Sequence, residues 1–223
     1  MTLNVTLSET DLSFYPVCEQ VIAIDTGAAR VQKVLEGSMS GDYENADLTY
    51  LRMGAFAQCE AVTGVRLPNC TGFGLSRHFY ECKNVTHIEL PKLTQIEDAT
   101  YSFYGMSNIT TISLPELTTI TTGFSGTFWG CEKLERIDLP KLGGTTIQTY
   151  AFRNCRYLHT LVLGGDTLNP LSNTNAFNNT GKAAGVTLSI YVQDRLVEEY
   201  KKAANWSAMA DKIKPISALE GAI

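Results

Sequence analysis

A phenylalanine that returns every 23 to 25 residues constrains this chain more than any other feature of its sequence. The six positions are Phe56, Phe79, Phe103, Phe128, Phe152 and Phe177. Other columns keep the same spacing: a residue that is usually cysteine follows three positions later, and aliphatic residues follow at positions six, nine and eleven. A unit this short cannot bury its own apolar face, so the units must stack and share one core. The sequence therefore predicts a solenoid.

Each unit is predicted to contain a short β-strand. Two apolar positions enclose a polar one, as Ile137 and Leu139 enclose Asp138, which is the alternation of a strand with one buried face. Equivalent strands of stacked units then pair in parallel, and in the sixth unit this register places the strand at Val186 to Leu188. Proline follows the last leucine in four units and ends the ladder because it has no N–H: Pro68, Pro91, Pro115 and Pro140.

The pattern F-x-x-C-x-x-L-x-x-I-x-L-P at this spacing resembles the BspA-like bacterial leucine-rich repeat family over about Leu48 to Val192. Its clearest copies are CKNVTHIELPKL, beginning at Cys82, and CEKLERIDLPKL, beginning at Cys131. The resemblance implies an α/β-type repeat solenoid, with short parallel strands, a turn-rich outer arc and a C-terminal capping helix. It also implies a recognition or adhesion protein, at the cell surface or secreted, with a protein or glycan as its surface ligand.

Three regions are predicted. Residues 48–192 form the solenoid of about six coils, and residues 193–223 form the capping helix and tail. The sequence of residues 190–215, IYVQDRLVEEYKKAANWSAMADKIKP, resembles the segment that closes such domains. Asp194 is a candidate N-cap for a helix of roughly ten residues. Apolar residues on one helix face and beyond it would seal the last coil: Leu196, Val197, Tyr200, Trp206 and Ile213.

Residues 1–47 do not fit the repeat and are predicted to be either an N-terminal cap or a small β-rich module. VTLSETDLSF and VCEQVIAID indicate short strands, and the polar segment from Gly37 to Asn45 indicates a loop. The first residues, MTLNVTLSETDLSFYP, contain neither a basic n-region nor an apolar h-region, so no signal peptide is predicted in this chain.

Composition disfavours two classes of partner. The chain has 223 residues, a net charge of −5 and a pI of about 5.2, without the basic stripe typical of nucleic-acid binding. No apolar run approaches the ~20 residues that cross a bilayer, so no membrane insertion is expected. The sequence leaves the oligomeric state open.

Motifs that carry chemistry are absent from the sequence. G-x-S-x-G, G-x-x-x-x-G-K-[ST], G-x-G-x-x-G and H-E-x-x-H do not occur, so no catalytic residue, cofactor or metal site is predicted. The cysteine column is interpreted as small buried side chains with a weak S–H donor. Met106 and Thr180 share that column and could serve neither a disulfide nor a metal.

Two surfaces are candidate binding sites. The first is the outward face of the strands, which mixes charges and hydroxyls: Arg66, His87, Glu89, Thr111, Ser113, Arg136 and Asp138. The second is a strip of aromatic residues directly after the repeated phenylalanine: Tyr80, Tyr104 and Trp129. A solvated sheet face and packing of the rings on neighbouring turns are the alternatives.

Two functions remain open from the sequence. One is a non-enzymatic recognition or adhesion module that presents an extended solenoid surface. The alternative is a structural component of a larger assembly, such as a cell-surface stalk or a phage tail accessory protein. Residues 1–47 would be the attachment module in that case, and the lack of a predicted signal peptide favours it.

Overall fold

The computed structural model describes residues 41–220 and, nearer the N-terminus, the backbone of three strands. These are β1 (Asn4–Thr6), β2 (Ile22–Ile24) and β3 (Arg30–Lys33), which form an antiparallel sheet in the order β1-β3-β2. β1 and β2 overlap the two segments predicted as strands, and β3 was not predicted. Whether residues 1–47 act as a cap or as a module remains a prediction.

From Gly41 onward the chain winds as a solenoid of short strands. Their bounds are β4 (Gly41–Glu44), β5 (Tyr50–Leu51), β6 (Val62–Arg66), β7 (Gly72–Phe73), β8 (His87–Glu89), β9 (Gln95–Ile96), β10 (Thr111–Ser113), β11 (Thr119–Ile120), β12 (Arg136–Leu139), β13 (Thr160–Leu163), β14 (Ser189–Val192) and β15 (Ile213–Pro215).

Two parallel ladders run along the stack. The first ladder comprises the sheets β4-β6-β8 and β10-β12-β13-β14-β15, and the second ladder is β5-β7-β9-β11. Equivalent apolar positions face each other across the coils, as Ile112 faces Ile137 and Ile137 faces Leu161. The predicted leucine-rich repeat solenoid is thereby confirmed.

The predicted loop from Gly37 to Asn45 is wrong over its second half, because Gly41–Glu44 is strand β4 and pairs in parallel with β6. Tyr43 on this strand contacts the first repeated phenylalanine, with 5.3 Å between the ring centroids of Tyr43 and Phe56. An aromatic side chain outside the repeat spacing therefore extends the stack toward the N-terminus.

The strand of the sixth unit also differs from the prediction. It is β14 (Ser189–Val192), in which Ile190 rather than Val186 pairs with Leu161. Extra residues loop out before the strand, and Gly185 makes that loop possible because its φ of +78° is strained for other residues.

The repeated phenylalanines form one continuous column through the core. Consecutive ring centroids lie 5.1, 5.6, 5.3, 5.5 and 5.0 Å apart, and the rings are within 21° of parallel. Tyr43 covers the first ring, and Trp206 covers the last at 5.8 Å. Each coil therefore depends on its neighbours to cover its largest side chain.

The cysteine column joins successive coils by hydrogen bonds. The Sγ atoms of Cys82, Cys131 and Cys155 donate to the carbonyl oxygens of Phe56, Phe103 and Phe128 over 2.7, 2.9 and 3.0 Å. Thr180 donates its hydroxyl to Phe152 O in the same way, which explains why threonine can replace cysteine. The interpretation as weak donors fails at Cys59, which is disulfide-bonded to a partner outside the described residues.

A compact helical segment follows the last coil. It contains a 3-10 turn (Asp194–Leu196), α1 (Val197–Lys202), a 3-10 helix (Trp206–Lys212) and α2 (Ser217–Glu220). The predicted apolar residues of this segment are all buried: Leu196, Val197, Tyr200, Trp206 and Ile213. Asn169 joins them to the solenoid, since its carbonyl accepts from Trp206 Nε1 over 2.8 Å and its N–H donates to the Tyr200 hydroxyl over 2.9 Å.

Two details of the predicted helix are wrong. Asp194 is not an N-cap, because it begins the 3-10 turn and its carboxylate accepts from the Ser217 N–H. The α-helix is also shorter than the ten residues predicted. It ends at Lys202, because the backbone of Ala203 is extended, and Asn205 then takes a left-handed conformation at a φ of +62°.

A single histidine is enclosed by this core. The side chain of His78 stacks on Phe73 at 4.5 Å, and its Nδ1 lies 2.9 Å from the Ser102 hydroxyl. Its Nε2 is buried without a hydrogen-bond partner among the described residues. Burial lowers the pKa of His78 to about 3, so the ring is neutral in the folded protein at neutral pH.

We expect Phe128→Ala to lower the free energy of unfolding by about 3–5 kcal/mol. Phe128 contacts a ring on each side, and the coils cannot close up to fill the cavity that its removal would leave. Urea titration followed by circular dichroism measures the loss. Tyr157→Ala is the control, since Tyr157 is 47% exposed and should cost far less. Equal losses in the two variants would contradict a column in which each ring is covered by its neighbours.

Acid should destabilise the fold through His78. Below its ordinary pKa of 6.5 the unfolded chain binds a proton on this ring, whereas the folded chain does so only near pH 3. Within that window the free energy of unfolding should fall by up to ~1.4 kcal/mol for each unit of decreasing pH. Urea titrations across the window should show that the free energy of unfolding depends less steeply on pH in His78→Gln than in the unaltered protein. The same pH dependence in both proteins would show that His78 is not the group responsible.

Candidate functional site

The predicted sheet-face residues do share one face of the first ladder. They lie on β6, β8, β10 and β12, where Arg66 is in register with Glu89, Thr111 with Arg136, and Ser113 with Asp138. Their side chains are exposed or half-buried. The structure brings these residues together, and their role in binding stays a prediction.

Charges on this face are already paired with one another. Arg66 Nη2 lies 2.8 Å from Glu89 Oε1, and Arg136 Nε lies 2.7 Å from Asp138 Oδ2. His87 Nε2 is 3.3 Å from Asp42 Oδ2. The hydrogen bond from Arg136 to Asp138 raises the pKa of Arg136, which favours the charged form it has in any case. A ligand would therefore meet neutralised pairs rather than free charges.

The three predicted aromatic residues form a continuous strip across three coils. The ring centroids of Tyr80 and Tyr104 are 4.9 Å apart and the rings are nearly parallel. Tyr104 meets Trp129 edge-to-face at 5.4 Å. All three side chains are half-buried, so each presents part of its ring to solvent.

Four further side chains extend this strip, and we call all seven residues the turn cluster. Tyr101 contacts Tyr104 and Trp129, and Tyr150 lies 5.2 Å from Trp129. Arg77 lies 5.8 Å from the Tyr80 ring centroid and 5.9 Å from that of Tyr101. The turn cluster consists of Arg77, Tyr80, Tyr101, Tyr104, Trp129, Tyr150 and Arg153.

Arg153 lies against two rings at one end of the turn cluster. Its guanidinium carbon is 4.8 Å from the Tyr150 ring centroid and 5.3 Å from that of Trp129, within the range of cation–π attraction. Its Nε is buried without a hydrogen-bond partner, and Arg153 makes no ion pair with any described residue. The turn cluster thus carries a positive charge that the folded region from Gly41 onward does not neutralise.

Three members of the turn cluster have a backbone conformation that normally favours glycine. Two positions before the repeated phenylalanine the chain has a positive φ: +64° at Arg77, +53° at Tyr101 and +65° at Tyr150. Two other coils use Gly54 and Gly126 there. A bulky side chain in this region costs roughly 1–2 kcal/mol, which glycine avoids.

Gly126 provides the space that Tyr101 occupies. A Cβ atom built on Gly126 would lie 2.4 Å from Cε1 of the Tyr101 ring, which no real contact allows. The tyrosine of one coil therefore lies over the glycine of the next. This complementarity holds the Tyr101 ring against Trp129 at the surface rather than in the core.

Sequence reasoning found three of the seven members of the turn cluster. Tyr80, Tyr104 and Trp129 were recognised because they directly follow the repeated phenylalanine. Tyr101, Tyr150 and Arg77 belong to the column two positions before it, and the glycines at positions 54 and 126 in that column were the available signal for an unusual backbone.

Residues 41–220 contain no group of three or more His, Cys, Asp or Glu side chains that could hold a metal ion. Burial raises the pKa of the Cys82 and Cys131 thiols to about 12, which suppresses the nucleophilic thiolate. The half-buried rings and guanidinium groups of the turn cluster form a surface suited to non-covalent binding.

A model of the BspA-type leucine-rich repeat region matches residues 75–194 in six copies, which is more than half of the chain. The chain belongs to the BspA-type leucine-rich repeat family. The matched residues of this family member contain the whole turn cluster and six of the seven predicted sheet-face residues, the exception being Arg66.

The BspA-type chain was also compared with solved structures and with curated proteins. A leucine-rich repeat protein of T. pallidum is similar at 19% identity, with a TM-score of 0.44 over 61% of this chain and 75% of that protein. No curated protein matched. Across the part of the chain that the structure describes, no helix is long and apolar enough to cross a membrane.

The strained backbone at Tyr101 predicts that glycine is more stabilising than alanine at this position, the reverse of the usual order. Tyr101→Gly and Tyr101→Ala both remove the ring, but only glycine is at ease at a φ of +53°. We expect Tyr101→Gly to be more stable than Tyr101→Ala by about 1 kcal/mol in urea titrations.

Tyr104 is the matched control, because it lies in the same cluster but is not among the residues with a positive φ. There Gly should be less stable than Ala by about 0.5–1 kcal/mol, the ordinary entropic cost of glycine. The same order of stability at both positions would show that Tyr101 is not strained.

Proposed function

We propose that this protein is a non-enzymatic recognition module that binds a protein partner through the turn cluster. The module acts by presenting a rigid, pre-organised surface, as an adhesion protein does. Its membership of the BspA-type leucine-rich repeat family and its extended solenoid support this function. The composition of the cluster supports the choice of surface, since tyrosine, tryptophan and arginine dominate binding hot spots.

One observation carries the proposal: Tyr101, Tyr150 and Arg77 occupy backbone positions where glycine would be more stable. Two other coils show that the fold accepts glycine there, at Gly54 and Gly126. A requirement for partly exposed rings and a guanidinium would account for the large side chains at these strained positions.

The turn cluster is a better candidate than the sheet face. Sheet-face charges are paired among themselves, and the face contains no aromatic side chain among its predicted members. The exposed sheet face also ends before β13, because Thr160 and Val162, which are in register with Arg136 and Asp138, are only 7% and 5% exposed. Asp138 and Tyr191 flank Val162 in register and help to cover it.

The chemistry of the turn cluster indicates the kind of protein surface that fits it. Rings spaced about 5 Å apart along four coils form a stripe rather than a single pocket. The unneutralised guanidinium of Arg153 lies at one end of the stripe. A partner should therefore offer an apolar ridge with a carboxylate near its end.

We expect Tyr104→Ala combined with Trp129→Ala to weaken partner binding at least about 30-fold, the effect of losing a hot spot of 2 kcal/mol. The protein would be screened by surface plasmon resonance against immobilised extracellular-matrix proteins and glycans. Each variant's thermal unfolding would confirm that it is folded.

The control is Arg66→Ala combined with Arg136→Ala, which changes the sheet face and leaves the turn cluster intact. It should keep the affinity of the unaltered protein. Absence of saturable binding to any surface, or a loss confined to the sheet-face variant, would overturn the assignment to the turn cluster.

A further inference from the structure

A cleft opens on the side of the solenoid that carries the second ladder. It has a volume of about 280 Å³ and is formed by three successive coils. One wall runs from Ile120 to Gly123, the other from Gly144 to Thr149, and Ser172 adds the third coil. Because small-molecule sites usually span about 300–1,000 Å³, the cleft suits one small ring-sized group.

The cleft exists because the second ladder changes register at this point. β11 pairs with β9 through Ile120 and Ile96. The next coil pairs not with Ile120 but with Phe124, four residues further along the chain, through Ile147. Ile147 in turn pairs with Leu171 of the coil after that. The ladder is interrupted at this point, and the two walls are joined by hydrogen bonds from Phe124 N to Thr146 O and from Gln148 Nε2 to Thr122 O.

Hydroxyl groups dominate the lining. Six side chains contribute one each: Thr121, Thr122, Thr145, Thr146, Thr149 and Ser172. Gln148 adds an amide, and none of the lining residues carries a charge. We call this site the threonine cleft.

Part of this hydroxyl set is available to a ligand. Thr122 donates to Asp98 Oδ1 over 3.1 Å, and Thr149 accepts from Asn173 Nδ2 over 2.8 Å. The hydroxyls of Thr121, Thr146 and Ser172 make no hydrogen bond to any residue between Gly41 and Glu220. These three hydroxyls therefore remain able both to donate and to accept a hydrogen bond from a ligand in the cleft.

We propose that the threonine cleft binds a neutral saccharide unit. Sugar hydroxyls both donate and accept, and the unpartnered hydroxyl side chains can answer them in either sense. The guanidinium or ammonium that favours a phosphate or sulfate and the carboxylates that favour a divalent cation are both absent from the lining. Apolar surface in the lining comes chiefly from Ile120, too little for an apolar ligand or peptide side chain.

The test uses small glycosides and the intact protein. Methyl glycosides of glucose, galactose, mannose and N-acetylglucosamine are titrated by saturation-transfer NMR and calorimetry, with glucuronic acid and glucose 6-phosphate as charged counterparts. We expect saturable binding of at least one neutral glycoside and none tighter among the charged ones. Absence of neutral binding, or preference for a charged sugar, would overturn the proposal.

Isosteric variants locate the site. Thr121→Val with Thr146→Val removes two unpartnered hydroxyls without changing shape, and should weaken binding about tenfold or more. Thr110→Val is the matched control, since Thr110 is exposed outside the cleft and should leave the affinity unchanged. Equal affinities in the double variant and the control would place the sugar elsewhere and reject the threonine cleft.

This inference does not depend on the function proposed for the turn cluster. The variant with Tyr104→Ala and Trp129→Ala should lose its protein partner and still bind the glycoside. The double threonine variant should do the reverse. Failure of one pair of measurements therefore leaves the other interpretable.

Discussion

The stacking of one phenylalanine ring on the next is the interaction on which the rest of this structure depends. Rings 5.0 to 5.6 Å apart fix how far each coil lies from its neighbours and at what rotation. Residues that lie a fixed number of positions from the phenylalanine in each repeat are therefore stacked above one another in the same register. Tyr80, Tyr104 and Trp129 follow it by one residue, so their surface stacking is a direct consequence of packing in the core.

The repeated part of the fold could be predicted because a period is a property of the sequence itself. The prediction was wrong at Gly41–Glu44, at Ser189–Val192 and in the length of the capping helix. At these ends the template stops, and single residues decide the local geometry. Tyr43 covers the column from a position outside the repeat, and Asn205 takes a left-handed backbone conformation that its residue type alone does not reveal.

The candidate surfaces could be predicted from the sequence only where their residues follow the repeat. Residues that keep a fixed distance from the phenylalanine could be placed on one strip, and the sheet face could be read from the alternation in each strand. The positive φ of Tyr101 and Tyr150 could not be read from a tyrosine. The threonine cleft arises from a four-residue change of pairing between Ile120 and Phe124, which depends on three coils together.

The burial and hydrogen bonding of the cysteine column determine how reactive its thiols are under oxidising conditions. Thiols with a pKa near 12 that are shielded from water neither oxidise nor exchange at a useful rate while the coils are closed. Burial raises the pKa of the Cys70, Cys82, Cys131 and Cys155 thiols, so we expect all four to react slowly while the coils are closed. Alkylating reagents would reach them only when neighbouring coils separate, which makes these sulfurs natural reporters of local opening.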